Sequence, residues 1–222
     1  MYTNLENITE RLKGQGYDIR DPWDVVDAFE DKVAKYAGSK YAVSCDSCTN
    51  AMFMCLKYLG AEGEISIPKR TYLSVPGLIL HAGCKIKWDD REWSGAYQLD
   101  PYPVIDGATR FTRDMYIKGT YHCLSFHIRK ILGIAKGGMI LTDDKDAADW
   151  FRLARYEGRN NRQHHDSIDD IEILGWNFYM PPEQAARGIE LFDELPQINK
   201  DSGGSWKYKD LSGYSVWRNK NG

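Results

Sequence analysis

The sequence predicts an α/β fold built on a largely parallel sheet, and two observations carry that reading. Short apolar runs of strand length alternate along the chain with segments whose apolar residues recur at helical spacing. Glycines and prolines stand at the joints between these segments, where they end one element and start the next. The first strong helix opens at Asp21-Pro22, an acid as N-cap followed by proline at the first position. It carries Val25, Val26, Phe29, Val33 and Tyr36 on one side before Gly38 stops it. A strand is expected over 41–45, a helix over 49–59 closed by Gly60, and a strand over 65–67 stopped by Pro68. Residues 73–81 are apolar on one side and read as a helix, a reading that Pro76-Gly77 weakens. Further strands are expected over 85–88, 103–105, 122–126 and 139–141, and further helices over 145–156 and 182–195.

At 222 residues the chain suits one domain with a tail. Residues 1–195 form the expected domain. Residues 196–222 are polar, with Gly203-Gly204 and the aromatics Trp206, Tyr208, Tyr214 and Trp217 set without periodicity, and read as a C-terminal arm. With 42% hydrophobic and 27% charged residues the chain can build a packed core and belongs to the soluble globular class. A net charge of −3, from 29 basic and 32 acidic residues, makes nucleic acid a poor partner. Apolar stretches such as 77–80 are too short to span a bilayer, and Met1 to Lys13 has no apolar core, so neither a membrane nor a signal peptide is expected. Five cysteines, an odd number, argue for a reducing compartment and a cytoplasmic location. Cys45 and Cys48 have the C-x-x-C spacing of redox and zinc sites. No second pair exists to complete a zinc site, so they read as small buried side chains near a strand end.

Three places along the chain carry chemistry. Ser47-Cys48-Thr49-Asn50 lies between a strand and a helix, where hydroxyls and backbone N–H groups cap the helix or hold a phosphate. Lys130, just past a strand end in Ser125-Phe126-His127-Ile128-Arg129-Lys130, is either a solvated lysine or an amine nucleophile held in a mouth between loops. Asp106 ends the strand that begins at Pro103. Ligands of open α/β sheets sit outside the carboxyl ends of the strands, so loops carrying Thr49, Asp106 and Lys130 would converge there. An acid, a lysine and a phosphate cradle together suit a phosphorylated aldehyde cofactor.

An ordered set of motifs sharpens this. Val26-x-x-Phe29-Glu30-x-x-x-Ala34-x-Tyr36-x-Gly38 is followed by Ser47-Cys48-Thr49-x-Ala51, by Pro68-x-x-Thr71-Tyr72 and by Ala82-Gly83-Cys84 with Trp88-x-Asp90. Next come Ser125-Phe126-His127-x-x-Lys130 with Gly137-Gly138, then Arg155-Tyr156-x-Gly158. Gly175-Trp176-Asn177-Phe178-x-Met180 with Glu183-Gln184-Ala185-Ala186 completes the set. Over roughly Trp23 to Leu195 the chain resembles the nucleotide-sugar aminotransferases of the DegT/StrS type, which depend on pyridoxal 5′-phosphate (PLP). The resemblance implies a three-layer α/β/α architecture, the large domain of a fold-type-I PLP transferase, here reduced and without the family's small C-terminal domain. It implies an enzyme that moves an amino group from an amino-acid donor to a keto acceptor, with nucleotide-linked sugars as one acceptor class. By the same resemblance Lys130 carries PLP as a Schiff base, Thr49 and Ser125 bind its phosphate, and Ser47 and Cys48 belong to the same cofactor-binding motif. Tyr72 stacks on its ring, and Asp106 pairs with the ring nitrogen. Thr109 takes the place of a family glutamine. Asn177 reaches a phosphate in the partner subunit, which implies a homodimer with shared active sites.

The departures are specific. Cys48 stands for a glycine, Tyr179 for an arginine and Lys136 for a common glutamate. Val104-Ile105-Asp106-Gly107-Ala108-Thr109 fits the family's V-I-E-D-A-A-Q with Asp106 at the key aspartate only if one residue is dropped. Otherwise Gly107 takes that place. The shifted alignment is preferred because no other acid is in reach. Only 13 residues separate Asp90 from Val104, where the family fits a further strand and helix. Two other functions stay open: another PLP reaction such as decarboxylation, and a non-catalytic PLP-binding relic. The arginines 152, 155, 159 and 162 read as a helix face or as contacts to a phosphate-bearing substrate, and His164-His165 as a solvated pair.

Overall fold

The structure, a computed structural model, describes residues 3–168, 170, 171 and 173–218; residues 219–222 of the expected arm lie outside it. The main sheet has the order β1-β7-β6-β5-β4, with β1 at Tyr41–Cys45, β4 at Tyr97–Gln98, β5 at Val104–Asp106, β6 at Tyr121–Ser125 and β7 at Gly138–Thr142. Two further strands, β2 (Glu64–Pro68) and β3 (Lys85–Asp89), pair in parallel and join the sheet through an antiparallel bridge between Ser66 and Asp100, just past β4. β5 and β6 run parallel, β7 runs against β1 and β6, and β4 runs against β5. Following these pairings, β1, β2, β3, β5 and β6 share one direction and only β4 and β7 oppose it. The α/β class and the largely parallel sheet follow the sequence reading.

Side chains leave the strands alternately to the two faces. Val43, Val104, Cys123 and Ile140 meet helices α3 (Cys48–Tyr58), α4 (Ser74–His81) and α5 (Lys145–Ala154) in one core cluster. Ala42, Leu124, Met139 and Leu141 meet α1 (Thr3–Gly14), α2 (Pro22–Ala37) and α6 (Pro182–Phe192) in the other. The result is the three-layer arrangement expected.

Local chemistry sets the element ends. α2 begins at Asp21, whose carboxylate accepts from the Trp23 N–H at 2.7 Å, while Asp24 accepts from the Asp21 N–H at 3.2 Å. This reciprocal cap satisfies first-turn amides that the helix cannot. α4 forms despite Pro76 because proline there falls in the first turn, where no intrahelical N–H bond is lost. Besides short helical turns at 165–167, 205–207 and 215–218, two elements that pack in the layers were not anticipated. α1, with Leu5, Ile8 and Leu12 at helical spacing in an otherwise polar run, buries Leu12 completely, and its Arg11 pairs with Glu190 of α6. β4 is two residues long, too short to leave a period, and fills the place between β5 and β2.

One polar brace crosses the core. Arg155, 4% exposed, donates to Glu30, to the Ser44 carbonyl at 2.7 Å and to Ser44 Oγ at 2.9 Å, while Glu30 also accepts from the Ser44 N–H at 2.8 Å. It ties α2, β1 and the end of α5 together. The other arginines of that stretch are likewise taken up within the chain: Arg152 by Asp149, Arg159 by Glu157, and Arg162 by Asp21, Asp24 and Asp27. The structure thus gives them intrachain ion pairs rather than a free basic face.

Candidate active site

The register of the ladders brings four strand ends to one rim of the sheet. Gly138 pairs with Cys45 on one side and Ser125 on the other, and Asp106 lies opposite Cys123, two residues in from Ser125. Past this rim opens a cavity of about 430 Å³, a volume that suits a small-molecule ligand. Of the residues singled out in the sequence, Ser47, Cys48, Thr49, Tyr72, Asp106, Thr109, Ser125 and Lys130 all line it.

The N-terminus of α3 forms one end. Ser47 caps it, accepting from the Asn50 N–H at 3.2 Å and donating to Asp46 at 3.1 Å. Thr49 Oγ1 shares a hydrogen bond of 2.7 Å with Ser74 Oγ, which also faces the cavity. First-turn amides and hydroxyls at a helix N-terminus make an anion cradle. β7 passes so close beneath that a Cβ at Gly138 would fall on the Ser47 carbonyl carbon and the Cys48 nitrogen, which is why glycine stands there. Asp46 puts a carboxylate beside the cradle, and Lys136 at 3.2 Å and Asn50 at 2.8 Å take it up.

Lys130 sits on the excursion between β6 and β7. The Phe126 N–H reaches the Gly137 carbonyl at 2.8 Å and the Ile128 N–H the Ala135 carbonyl at 3.0 Å. These bonds extend the antiparallel pairing past the strands and fix the base of the loop. Lys130 turns in over the His127 carbonyl, to which its N–H donates at 2.8 Å.

Asp106 is 5% exposed. Its carboxylate accepts from the Tyr97 hydroxyl at 2.7 Å and the Ala108 N–H at 3.0 Å, and the Cys48 thiol lies 3.9 Å away. Burial pushes this carboxyl above its ordinary range, while the Ala108 N–H, the Tyr97 hydroxyl and the Lys130 charge pull it back. With its hydrogen given to Asp106, the Tyr97 oxygen takes one from Thr71, so Thr71, Tyr97 and Asp106 form a relay of three buried groups. Gly107 points the other way: a Cβ there would meet the His122 ring. Asp106 therefore faces the cavity and Gly107 does not, whichever alignment is used.

Two predicted residues are placed differently from the rest. The Thr109 hydroxyl lies buried between the carbonyls of Gly95 and Gly203, at 2.9 and 3.0 Å. Asn177 lies outside this cavity, exposed, with its amide donating to Glu157 at 2.9 Å, in a neighbouring hollow lined by Asp46, Lys136 and Tyr179. Sequence reasoning missed Thr71 and Tyr97, and it missed Trp93 and Tyr208, two aromatic side chains that line the cavity from unperiodic segments. Thr71 was visible in the Pro68-x-x-Thr71 motif; the other three left no local signal. Cys45 and Cys48 are free and buried, so the C-x-x-C is neither a disulfide nor an exposed thiol pair. The cavity thus joins an amine, a buried acid, an anion cradle and aromatic faces.

Comparison with known proteins agrees with this assembly. The sequence pattern of the DegT/DnrJ/EryC1/StrS aminotransferase family matches residues 3–113 and 107–208. The spore coat polysaccharide biosynthesis protein SpsC of Bacillus subtilis is 24% identical, over 88% of this chain and 62% of that protein. GDP-perosamine synthase of Caulobacter vibrioides is 25% identical, over 76% and 56%. The crystal structure of a DegT DnrJ EryC1 StrS aminotransferase from Brucella abortus superposes with a TM-score of 0.66 at 20% identity, covering 86% of this chain and 64% of that one. The chain spans about three-fifths of the length of these curated relatives.

Proposed function

The chain belongs to the DegT/DnrJ/EryC1/StrS aminotransferase family, and on that footing we propose that it is the cofactor-binding unit of a PLP-dependent aminotransferase. In this reading it transfers an amino group from an amino acid to a keto group on a nucleotide-linked sugar, the kind of compound that the name GDP-perosamine synthase gives as that relative's product. One observation carries the reading: Lys130 and Asp106, from different strand ends, face a single cavity that the N-terminus of α3 closes.

The residues present fit PLP. When bound, PLP supplies an electron sink for the charge left when an amino acid loses its Cα proton. Lys130 would hold the cofactor through its amine and is the group placed to carry that proton. Asp106, fixed by Tyr97 and Ala108 and facing away from solvent, holds a proton at the ring nitrogen. The α3 amides, with Ser47, Thr49 and Ser125, hold the phosphate. Tyr72 would lie against the ring, and the Tyr97 hydroxyl keeps Asp106 in place.

The reading extends to a homodimer. Asn177 lies outside its own chain's cavity, and Tyr72, Leu73 and Ile128, on two loops at the cavity's mouth, are 58%, 55% and 61% exposed. Apolar groups in that position suit coverage by a second copy. Residues 1–195 act as the cofactor-binding unit and 196–222 as its arm. Five free cysteines suit the cytoplasm, and among the described residues no helix is long and apolar enough to cross a membrane.

The test is chemical. Purified protein is incubated with PLP, reduced with borohydride and digested. PLP fixed on Lys130, and amine transfer from an amino-acid donor to a nucleotide-linked keto sugar, are the expected results. PLP fixed on other lysines only, or no amine transfer with any donor, would refute the reading.

A further inference from the structure

From the way residues 201–211 pack, we infer that the C-terminal arm builds one wall of the cavity and that Tyr208 is a cofactor-binding residue, held in place by Trp93 and Thr109. The inference rests on the PLP reading above and adds to it a contact from a segment without helical or strand periodicity.

The arm is pinned to the connection between β3 and β5 at several points. The Gly95 N–H donates to the Gly203 carbonyl at 2.9 Å, and the Ser205 N–H donates to the Trp93 carbonyl at 3.0 Å. The Ser202 N–H donates to the Thr109 carbonyl at 2.8 Å, and the Thr109 hydroxyl returns to the Gly203 carbonyl at 3.0 Å. Arg110 grips both carboxylate oxygens of Asp201 at 2.9 and 2.8 Å, the bidentate geometry in which arginine holds an acid most firmly. Farther along, the Leu211 N–H donates to the Lys69 carbonyl at 2.9 Å, and the Leu211 side chain is 2% exposed. A segment with this many fixed backbone groups is part of the fold.

What the arm delivers is Tyr208. Its ring stacks on Trp93, with centroids 5.7 Å apart and planes at 23°, and stands edge-on to Tyr72 at 6.5 Å and 76°. Trp93 is itself fixed by its indole N–H, which donates to the Arg70 carbonyl at 2.8 Å. All three rings line the cavity. With Trp93 behind it, Tyr208 is backed by a rigid partner and turns its remaining surface to the ligand space. Burial, followed by the influence of Asp106, Tyr72 and Cys48, raises its phenol to about 12, so it stays a neutral donor across the physiological range. Planar ligands bind well against such preorganised aromatic faces. Thr109 is then a positioning residue: its buried hydroxyl holds the arm that carries Tyr208, and it directly follows Ala108, whose N–H fixes Asp106.

The experiment measures PLP affinity, not turnover. The full chain is dialysed free of cofactor and titrated with PLP, following tryptophan fluorescence and the absorbance of bound PLP. Tyr208→Ala and Thr109→Val are expected to raise the dissociation constant about tenfold, the scale of one lost aromatic contact. Lys209→Ala, next to Tyr208 but exposed and away from the cavity, is expected to leave it unchanged. If Tyr208→Ala melts early, Tyr208→Leu carries the test, since it keeps apolar bulk against Trp93 and removes only the aromatic face and the hydroxyl. A folded Tyr208 variant that binds PLP within twofold of the unaltered chain overturns the inference and leaves the proposed function standing. An unaltered chain that takes up no PLP removes the proposed function, and the inference with it.

Discussion

Protonation of His122 should weaken the fold by about 3 kcal/mol between neutral and acid pH. The side chain leaves β6 on the face away from Asp106, against Gly107, and neither ring nitrogen has a hydrogen-bond partner. Burial, and after it the positive charge of Arg110, lowers its pKa from the ordinary 6.5 to about 4. The native state therefore binds fewer protons than the unfolded chain between those two values. Stability is full above about pH 6.5, falls as pH drops because the unfolded imidazole takes up a proton first, and levels off below about 4. At 1.36 kcal/mol for each pH unit between the two values, the loss comes to roughly 3 kcal/mol. His122→Leu removes the titrating group and breaks no hydrogen bond, so it should be neutral or slightly stabilising at pH 7.5. Urea unfolding of both proteins, followed by tryptophan fluorescence from pH 7.5 to 4, gives a difference curve from which carboxylates common to both cancel. The stability gap should open in favour of the leucine variant by about 3 kcal/mol. A difference that stays flat across that range would refute the reasoning, because His122 would then titrate alike in both states.

Asp106→Asn should still take up PLP yet slow half-transamination by about 100-fold, since an amide cannot hold the proton at the ring nitrogen; a single-turnover rate within a few-fold of the unaltered enzyme would end that assignment. Glu30→Ala strands the Arg155 guanidinium in the core and should cost about 3–5 kcal/mol in denaturant unfolding, while Glu30→Ala with Arg155→Met should recover most of it. Asn177→Ala should weaken PLP retention by about 1–3 kcal/mol if the amide reaches a partner's phosphate, and sedimentation should find dimers; a PLP-loaded monomer at micromolar concentration would contradict the homodimer.

The parts of the site that could be read from the sequence are those fixed by local order. Ser47 to Thr49 could be placed because a strand, a cap and a helix follow within a few residues, and Lys130 because Ser125-Phe126-His127 precedes it and Gly137-Gly138 follows. Asp106 was singled out, but its direction was not legible, because the register that sends Asp106 inward and Gly107 against His122 is a tertiary fact. Tyr97, Trp93 and Tyr208 were not legible at all. One lies on a two-residue strand and two in segments without periodicity, and their meeting depends on long-range pairing such as that of Thr109 with Gly203. Arg155 shows the opposite case: a motif residue with the chemistry of an anion ligand, which the fold uses as a brace.

Two of the departures from the family pattern, Lys136 and Cys48, line the cavity near the N-terminus of α3. An acid at Asp46 would repel a phosphate at the tip of α3 if it stood alone. Lys136, at a position where the family commonly has an acid, bonds it at 3.2 Å, and the Asn50 amide bonds it at 2.8 Å, so its charge is answered locally. The cavity lining then carries Asp46 and Asp106 against Arg129, Lys130 and Lys136, a balance that still favours an anion at the helix terminus. Cys48, where the family has glycine, puts its thiol 3.9 Å from the Asp106 carboxylate. Burial and the Asp106 charge both raise that thiol, so it stays protonated and acts as a small apolar cover with a weak donor. The Cys48 side chain is itself buried, so it adds apolar cover beside a carboxylate that is 5% exposed.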